Sequence, residues 1–387
     1  MSTPRLAQVG AEMDRIVDAG ELIGITALIA RRGSIVYQHT VGTLDAQTGA
    51  PLKDDSLLRI YSMTKPITSV AAMILVEEGR LHLDEPVSRF FPEWAGQTAY
   101  EDDVAVPVKT PVTTRHLLMH TSGLSYGYYG DTAVDRAYRA AKLIDDWDYL
   151  THDTRELVEK LAVIPLLFQP GTRWHYGFSS DVLGHLTERV SGDALDEFMR
   201  KRLLEPLGMT DTYFDVPIDK RHRFGTDQYI DDEGNVTIQD SPREDPEFID
   251  VTFLSGGGGL VTTAENYMRF CLMLRNGGML GEARILKPAT VQLMTRDLLP
   301  AGISAGSANA GFGLGFRVER QTPSPPGALS AGTYSWGGAA GTFFWIDPVE
   351  DIIAVFMPQR IGSPRWIQTN LQNLVYAAVI ENTTVRQ

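Results

Sequence analysis

Short strand-like runs lie at both ends of the chain, and segments with helical periodicity fill the region between them. Near the N-terminus, the apolar runs 23–30 and 34–40 flank Arg31-Arg32-Gly33, which predicts a β-hairpin with a tight turn. Near the C-terminus, short runs separated by Gly, Pro or Asp-Pro occur at 313–319, 333–336, 342–346 and 352–357. This arrangement predicts one antiparallel sheet built from both ends of the chain.

Helical periodicity marks most of the remaining sequence. At the N-terminus an apolar face repeats through Leu6, Val9, Met13, Ile16 and Val17, and residues 366–380 show the same pattern. Further helices are predicted in the middle of the chain, at 64–78, 113–119, 153–163, 180–191, 194–204 and 264–276. We expect the terminal helices to cover one face of the sheet and the helical insertion to pack beside it.

The chain length suggests more than one structural unit, because 387 residues exceed the size at which a single core stops growing. We predict an α/β fold of the mixed α+β type with two subdomains. An α/β subdomain would comprise residues 1–61 and 295–387, and a mainly helical subdomain would comprise residues 62–294. The segment 321–333, rich in Pro, Ser and Gly, is predicted to be an exposed loop between strands.

The composition excludes several classes of partner. The formal charge is −14 and the pI is near 5.0, and the sequence has no basic run, which argues against nucleic acid binding. The same charge would repel anionic lipids, and no stretch has the apolar length that spans a bilayer. A single cysteine, Cys271, excludes an internal disulfide and lies in a periodic stretch typical of a buried structural thiol. With no signal peptide visible, we expect a cytoplasmic protein; the oligomeric state is left open.

A four-residue pattern, Ser62-Met63-Thr64-Lys65, stands at the start of the predicted helix 64–78. It matches S-x-x-K, in which a serine opens a helix and a lysine follows one turn later. Residues i and i+3 share a helix face, so the Lys65 amine can reach the Ser62 hydroxyl. The helix N-terminus favours an anionic nucleophile, and apolar packing would lower the pKa of Lys65 toward a value useful for proton transfer. The pattern predicts Ser62 as the nucleophile, with an N-cap serine and an exposed lysine as the alternative.

Further sequence blocks follow this pattern in a set order. They are YSMTKP at 61–66, LHLDEPV at 81–87, LLMHTSGL at 117–124, PGTRWHY at 170–176, PLGM at 206–209 and GGGGL at 256–260. In this order the blocks resemble the serine β-lactamase and penicillin-binding protein superfamily, and most closely the class C β-lactamases and the family VIII carboxylesterases. The resemblance covers nearly the whole chain. It implies a β-lactamase-like fold and a reaction through an acyl-Ser62 intermediate.

The resemblance implies a role for a tyrosine. The family's Y-x-N motif corresponds to Tyr176-Gly177-Phe178, which implies that Tyr176 is the general base or a proton relay. Phe178 stands at the position of the family's asparagine. Whether Lys65 or Tyr176 removes the proton of Ser62 is left open, because the two groups could titrate as one unit.

The third family motif, K-T-G or H-x-G on an edge strand, corresponds to Trp336-Gly337-Gly338-Ala339. A W-G-G sequence at this place is similar to the family VIII esterases. Its glycines allow the strand backbone to approach a substrate closely. The resemblance implies an oxyanion hole formed by the backbone N–H groups of Ser62 and Ala339.

Two departures from the superfamily pattern bear on the substrate. Trp336 replaces the cation that binds a substrate carboxylate, and Phe178 replaces the asparagine that holds a side-chain amide. Both polar anchors have become apolar, so an uncharged, hydrophobic acyl substrate fits better. The residues predicted to bind substrate are Trp336, Gly337, Gly338, Phe178 and, from the tyrosine-rich loop 126–129, Tyr126 and Tyr128.

These features predict a serine carboxylesterase acting on short- to medium-chain acyl esters, with a weak β-lactamase activity left open. The alternatives are an amide or D-amino-acid peptide hydrolase and an acyltransferase on the same scaffold. A non-catalytic scaffold protein, the alternative from another class, should show disruption of the set Ser62, Lys65 and Tyr176, and all three are present. We expect no cofactor, and a small-molecule ester as the partner.

Two other patterns point to different chemistry. G-x-S-x-G occurs around Ser125 and Ser304, but neither serine follows a predicted strand, as the nucleophile elbow of an α/β-hydrolase requires. His116 and His120 stand at i and i+4, but a leucine occupies the position of the glutamate in H-E-x-x-H, and no third ligand is evident nearby. We therefore expect turn motifs at the two serines, a structural His120, and no metal.

Overall fold

The computed structural model describes residues 1–143, 153–230, 236–241, 248–321 and 329–380. Its α-helices are α1 (Thr3–Asp18), α2 (Thr64–Glu77), α3 (Thr114–Leu118), α4 (Ala133–Ala140), α5 (Thr154–Val163), α6 (Ser179–Ser191), α7 (Leu195–Met199), α8 (Glu205–Leu207), α9 (Ala264–Arg275), α10 (Pro288–Met294) and α11 (Arg365–Ala377). Its strands are β1 (Gly24–Arg31), β2 (Ser34–Asp45), β3 (Ala50–Pro51), β4 (Leu58–Arg59), β5 (Thr98–Glu101), β6 (Val104–Pro107), β7 (Thr212–Tyr213), β8 (Asp227–Ile230), β9 (Val236–Asp240), β10 (Val261–Thr262), β11 (Met279–Leu280), β12 (Ala283–Arg284), β13 (Ala310–Phe312), β14 (Arg317–Glu319), β15 (Tyr334–Gly337), β16 (Phe343–Asp347), β17 (Ile352–Pro358) and β18 (Arg360–Ile361).

The largest sheet in the described part of the chain has eight strands in the order β13-β14-β15-β16-β17-β1-β2-β3. All neighbouring pairs in it are antiparallel. The two ends of the chain meet where β1 pairs with β17, from Ile25 opposite Pro358 to Arg31 opposite Ile352. The antiparallel sheet predicted from both chain ends is confirmed.

The central strands of this sheet are covered on both faces. On β1, Ile25, Ala27 and Ile29 pack under the terminal helices α1 and α11, which also contact each other. Leu28 and Ala30, which point to the opposite face, pack against the cluster formed with the helical region. Because both faces are buried, β1 is a continuous apolar run in the sequence and shows no alternation of polar and apolar residues.

Helix α2 lies at the centre of the helical region. Residues 64–75 are all buried, so this part of the helix has no solvent-exposed face. Helix α6 packs along it, and β15 contacts the turn at its N-terminus. The start of α2 is therefore held between the large sheet and the helical region.

The N-terminal hairpin and the predicted helices are confirmed. The ends of the helices shift by at most three residues, whereas β2 extends five residues beyond the predicted run 34–40. The prediction of a single strand at 313–319 is wrong. Only the last three residues of this run form a strand, β14, and a turn in which Gly315 has a φ of 96° joins β13 to β14. The segment 194–204 is α7 followed by a π-helical turn, Arg200–Leu204. Helix α4 was not predicted, although a capping box between Thr132 and Asp135 marks its start.

Three further expectations concern the whole chain. Among the described residues, no helix is long and apolar enough to cross a membrane. Cys271 is buried within α9, as predicted for a structural thiol. Residues 322–328 of the predicted loop 321–333 lie outside the described residues. The division into 1–61 with 295–387 and 62–294 stays a prediction.

Candidate active site

Ser62 lies in a single 3₁₀ turn, Tyr61–Met63, that leads directly into α2. The turn follows β4, which pairs with β10 in a small sheet. Tyr61 has a φ of 41°, a left-handed conformation that costs a non-glycine residue about 1–2 kcal/mol. Its hydroxyl donates to Asp227 at 2.7 Å and its ring packs edge-on against Phe248. These contacts hold a strained residue immediately before the predicted nucleophile.

Lys65 meets Ser62 as the S-x-x-K spacing predicts. Lys65 Nζ lies 3.0 Å from Ser62 Oγ and donates to the carbonyl oxygen of Gly257 at 2.7 Å. The lysine side chain is buried, and burial lowers its pKa from 10.5 to about 7, against the opposing effect of Asp181. Near neutral pH a large fraction of the amine is therefore unprotonated and able to accept the proton of Ser62.

Tyr176 lies beside Lys65, whose Nζ is 4.5 Å from the centre of the tyrosine ring. Burial raises the pKa of the phenol, and the nearby Ser62 hydroxyl opposes this rise to a smaller extent. The Tyr176 hydroxyl is itself buried, without a well-formed hydrogen bond to any described residue. The phenol is protonated at neutral pH. This favours Lys65 as the proton acceptor and Tyr176 as the relay.

Strand β15 brings the segment Trp336-Gly337-Gly338 next to Tyr176 and to the turn that carries Ser62. The ring centre of Trp336 lies 5.4 Å from that of Tyr176. A Cβ atom at Gly338 would collide with the carbonyl oxygen of Ile60, two residues before Ser62, so the close approach of the strand to this turn requires glycine.

The remaining residues of this segment follow Trp336 along the chain, although β15 lies between β14 and β16 and is not an edge strand of the sheet. Gly337 is the last residue of β15 and pairs with Phe343. Ala339 lies in an exposed turn beyond the paired residues of β15 and β16, where its N–H is not part of the ladder. An oxyanion hole formed by Ala339 and Ser62 stays a prediction.

A wall of aromatic rings borders Tyr176. The ring of Tyr126 stacks on Tyr128 with centres 5.4 Å apart and lies edge-on to Tyr176 at 5.3 Å. Phe178 lies under Tyr126, with ring centres 4.7 Å apart and only 1% of its surface exposed. Tyr126 and Tyr128 therefore lie beside Tyr176, and their role in substrate binding stays a prediction. Phe178, predicted to bind substrate, lies beneath Tyr126 and exposes almost no surface.

Ser125, in the first G-x-S-x-G, belongs to a buried polar cluster. Its hydroxyl donates to Asp135 at 2.9 Å and accepts from the N–H of Gly127 at 3.2 Å, while His175 Nε2 lies 3.2 Å away. The hydroxyl proton is thus directed to a carboxylate in a structural network, and no strand leads into the serine. Ser304 lies in an irregular segment before β13. Neither serine has the geometry of a nucleophile elbow.

The two histidines at i and i+4 have separate roles. His116 completes the capping box of α3 with Thr113. His120 is buried with its ring 4.9 Å from that of Tyr176. In the described part of the chain, no group of three or more His, Cys, Asp or Glu side chains could hold a metal ion.

The structure adds two side chains, Asp181 and Ser255, that the sequence analysis did not single out. Asp181, in the first turn of α6, accepts hydrogen bonds from the hydroxyl of Ser255 at 2.6 Å and from the N–H of Gly257 at 3.0 Å. Available signals were an aspartate five residues after Tyr176, at the start of a predicted helix, and the glycine run 256–259, to which no role was given.

Comparison with known proteins agrees with this fold. The family described as Beta-lactamase matches residues 10–377. The chain belongs to the beta-lactamase family. The superfamily resemblance and the β-lactamase-like fold implied by the sequence blocks are both confirmed.

This beta-lactamase family member has relatives that match it along most of its length. Esterase EstB from Burkholderia gladioli is 32% identical in an alignment that covers 88% of this chain and 87% of EstB. Lovastatin esterase from Penicillium rubens is 30% identical in an alignment that covers 89% of this chain and 90% of that esterase. The structure of EstCE1, described as a hydrolase with promiscuous acyltransferase activity, matches with a TM-score of 0.83 at 26% identity, covering 96% of this chain and 99% of EstCE1. The protein is a serine hydrolase.

Proposed function

We propose that the protein is a carboxylesterase that hydrolyses short- to medium-chain acyl esters through an acyl-enzyme on Ser62. The observation that carries this proposal is the indole of Trp336 packed against Tyr176, where β-lactam and peptide enzymes of the superfamily have a cation. An aromatic surface beside a lysine-activated serine suits an uncharged acyl group better than a substrate carboxylate. The names of EstB and lovastatin esterase support the same class.

Acylation begins with the unprotonated amine of Lys65, which takes the proton of Ser62 as Oγ attacks the ester carbonyl. The oxyanion that forms faces the backbone N–H groups of Ser62 and Ala339. When the ester C–O bond breaks, Tyr176 gives its proton to the leaving alkoxide and receives the proton held by Lys65. The alcohol leaves, the acyl group stays on Ser62, and the lysine is neutral again.

Deacylation repeats these steps with water as the nucleophile. Lys65, through Tyr176, takes a proton from the water as it attacks the acyl carbon, and the proton returns to Ser62 Oγ as the acid leaves. An alcohol in place of water would give an acyltransferase, and the description of EstCE1 supports this as the second candidate. An amide or D-amino-acid peptide hydrolase would use the same groups with a less reactive bond.

The test compares a p-nitrophenyl short-chain ester, nitrocefin and a D-amino-acid amide with the purified protein. We expect the ester to have a kcat/KM at least about a hundredfold above the other two substrates, which corresponds to about 2.7 kcal/mol in transition-state binding. Turnover of the amide alone would overturn the ester assignment. Added alcohol that diverts the acyl group to a new ester would support the acyltransferase.

Labelling separates all of these enzymes from a non-catalytic scaffold. A fluorophosphonate should label the protein at Ser62, as mapped by peptide mass, and Ser62→Ala should abolish the label. Ser125→Ala is the matched control and should be labelled like the wild type, since Ser125 is fully buried and bonded to Asp135. A wild-type protein that is unlabelled and inert toward all esters contradicts the proposal.

We also propose a cytoplasmic location and a small-molecule ester as the partner, supported by the single cysteine and the net charge of −14.

A further inference from the structure

Gly257 joins two buried groups of opposite charge type. Its carbonyl oxygen accepts a hydrogen bond from Lys65 Nζ at 2.7 Å, and its N–H donates to Asp181 Oδ1 at 3.0 Å. The hydroxyl of Ser255 donates to the same carboxylate oxygen at 2.6 Å. Lys65 and Asp181 are each only 2% exposed, so both groups depend on protein partners in place of water.

The loop that carries Gly257 is held on both sides. Thr68 Oγ1, on α2, donates to the carbonyl of Gly256 at 2.7 Å, and the N–H of Leu260 donates to Thr64 Oγ1 at 3.1 Å. A Cβ atom at Gly257 would lie 2.5 Å from one oxygen of Asp181 and 2.9 Å from the other, so the loop approaches the carboxylate as only glycine permits. The placement of the Gly257 carbonyl, and with it the direction of Lys65, therefore depends on Asp181 together with Thr64 and Thr68.

Asp181 also acts on Lys65 through its charge. Burial lowers the pKa of Lys65 and Asp181 raises it, which together give a value of about 7. Burial raises the pKa of Asp181, and Lys65, Ser255 and Gly257 oppose that rise.

Two other titratable groups near Lys65, His120 and Tyr176, are neutral near pH 7. Burial lowers the pKa of His120 well below its usual value, and burial raises that of Tyr176. Within the described part of the chain, the charge that acts on Lys65 is that of Asp181.

We propose that Asp181 is a positioning residue for Lys65: it fixes Gly257 as the acceptor of the lysine amine and supplies the opposite charge when that amine takes the proton of Ser62. The carboxylate gains and loses no proton in this role, and it makes no contact with the substrate. The inference rests on the proposed function, because it requires Lys65 to receive the serine proton.

The test is the pH profile of kcat/KM for the short-chain ester in Asp181→Asn. The amide keeps the size of the side chain and an oxygen that can accept from Gly257, but it removes the negative charge. Without that charge the protonated amine is less stable, so the acid limb should move about one pH unit toward lower pH. kcat on the plateau should fall while KM stays within about twofold, because the interaction matters after the substrate is bound.

Two further variants make the result specific. Ser255→Ala removes a hydrogen bond to the same carboxylate and keeps its charge, so its acid limb should coincide with that of the wild type. Asp181→Ser also removes the charge, with a smaller side chain. It serves if Asp181→Asn does not fold, and it should show the same shift. Circular dichroism and fluorophosphonate labelling of Ser62 report whether each variant is folded.

The outcomes distinguish this inference from the proposed function. An active, folded Asp181→Asn or Asp181→Ser whose acid limb coincides with that of the wild type overturns the role of Asp181. A shift of equal size in Ser255→Ala also overturns it, because the effect would then follow from loop packing and not from charge. A wild-type protein without ester turnover or Ser62 labelling contradicts the proposed function itself.

Discussion

The lowered pKa of Lys65 makes a quantitative prediction for the pH dependence of ester hydrolysis. Burial moves this pKa from 10.5 to about 7. At pH 7.5 a lysine with an ordinary pKa is about 0.1% unprotonated, whereas a pKa near 7 leaves roughly three quarters of the amine unprotonated. Because only the unprotonated amine accepts the serine proton, kcat/KM should reach a plateau above neutral pH. It should fall about tenfold per unit below pH 6, to about 1% of the plateau at pH 5.

The assay follows hydrolysis of an ester with a non-ionising alcohol by titrating the acid released, so that the leaving group adds no pH dependence of its own. The plateau should extend into the alkaline range, because burial raises the pKa of Tyr176 and the phenol keeps its proton there. Lys65→Arg should lose about 10²–10⁴-fold in kcat/KM, because a guanidinium stays charged and cannot accept a proton. Lys109→Arg, at a lysine whose side chain is 73% exposed, is the matched control and should behave as wild type.

Two results would refute this reasoning. An acid limb near pH 10 would show that Lys65 is not desolvated in the working enzyme. Substantial activity in Lys65→Arg, with the same acid limb as wild type, would show that another group accepts the proton.

Further predictions address the serines, the tyrosine and the sheet. Ser125→Ala should keep kcat within about threefold but lower the free energy of unfolding by about 1–3 kcal/mol, since buried Asp135 loses a donor; a loss of turnover equal to that of Ser62→Ala would restore Ser125 as a nucleophile. Tyr176→Phe should lower kcat for the ester by about 10²–10⁴-fold in steady-state assays. An unchanged kcat would show that Tyr176 is not the proton relay. Ile29→Ala, at a fully buried position of β1, should cost about 2–5 kcal/mol in urea unfolding while kcat/KM of the folded enzyme is retained; a cost under about 1 kcal/mol would contradict the burial of β1 on both faces.

Much of the fold could be predicted from the sequence, because strands and helices leave local patterns of apolar residues along the chain. Alternating or continuous apolar runs predicted the N-terminal hairpin, and apolar residues at helical spacing predicted the terminal helices α1 and α11. The failures were also local. Gly313 and Gly315 turn the chain between β13 and β14 within a run that reads as one strand, and the short helix α4 has too few residues for its periodicity to stand out.

The site divides in the same way. Three residues of separation on a helix are enough to place Lys65 against Ser62, so the sequence by itself determined that pair. Tyr176 and Trp336 were placed there only through the order of the family blocks, since nothing in their own neighbourhood points to Ser62. Only the tertiary structure decided that Phe178 lies beneath the aromatic wall and that Asp181 reaches Lys65 through Gly257. Both depend on how α2, α6 and the glycine loop pack, and such long-range packing leaves no periodic trace along the chain.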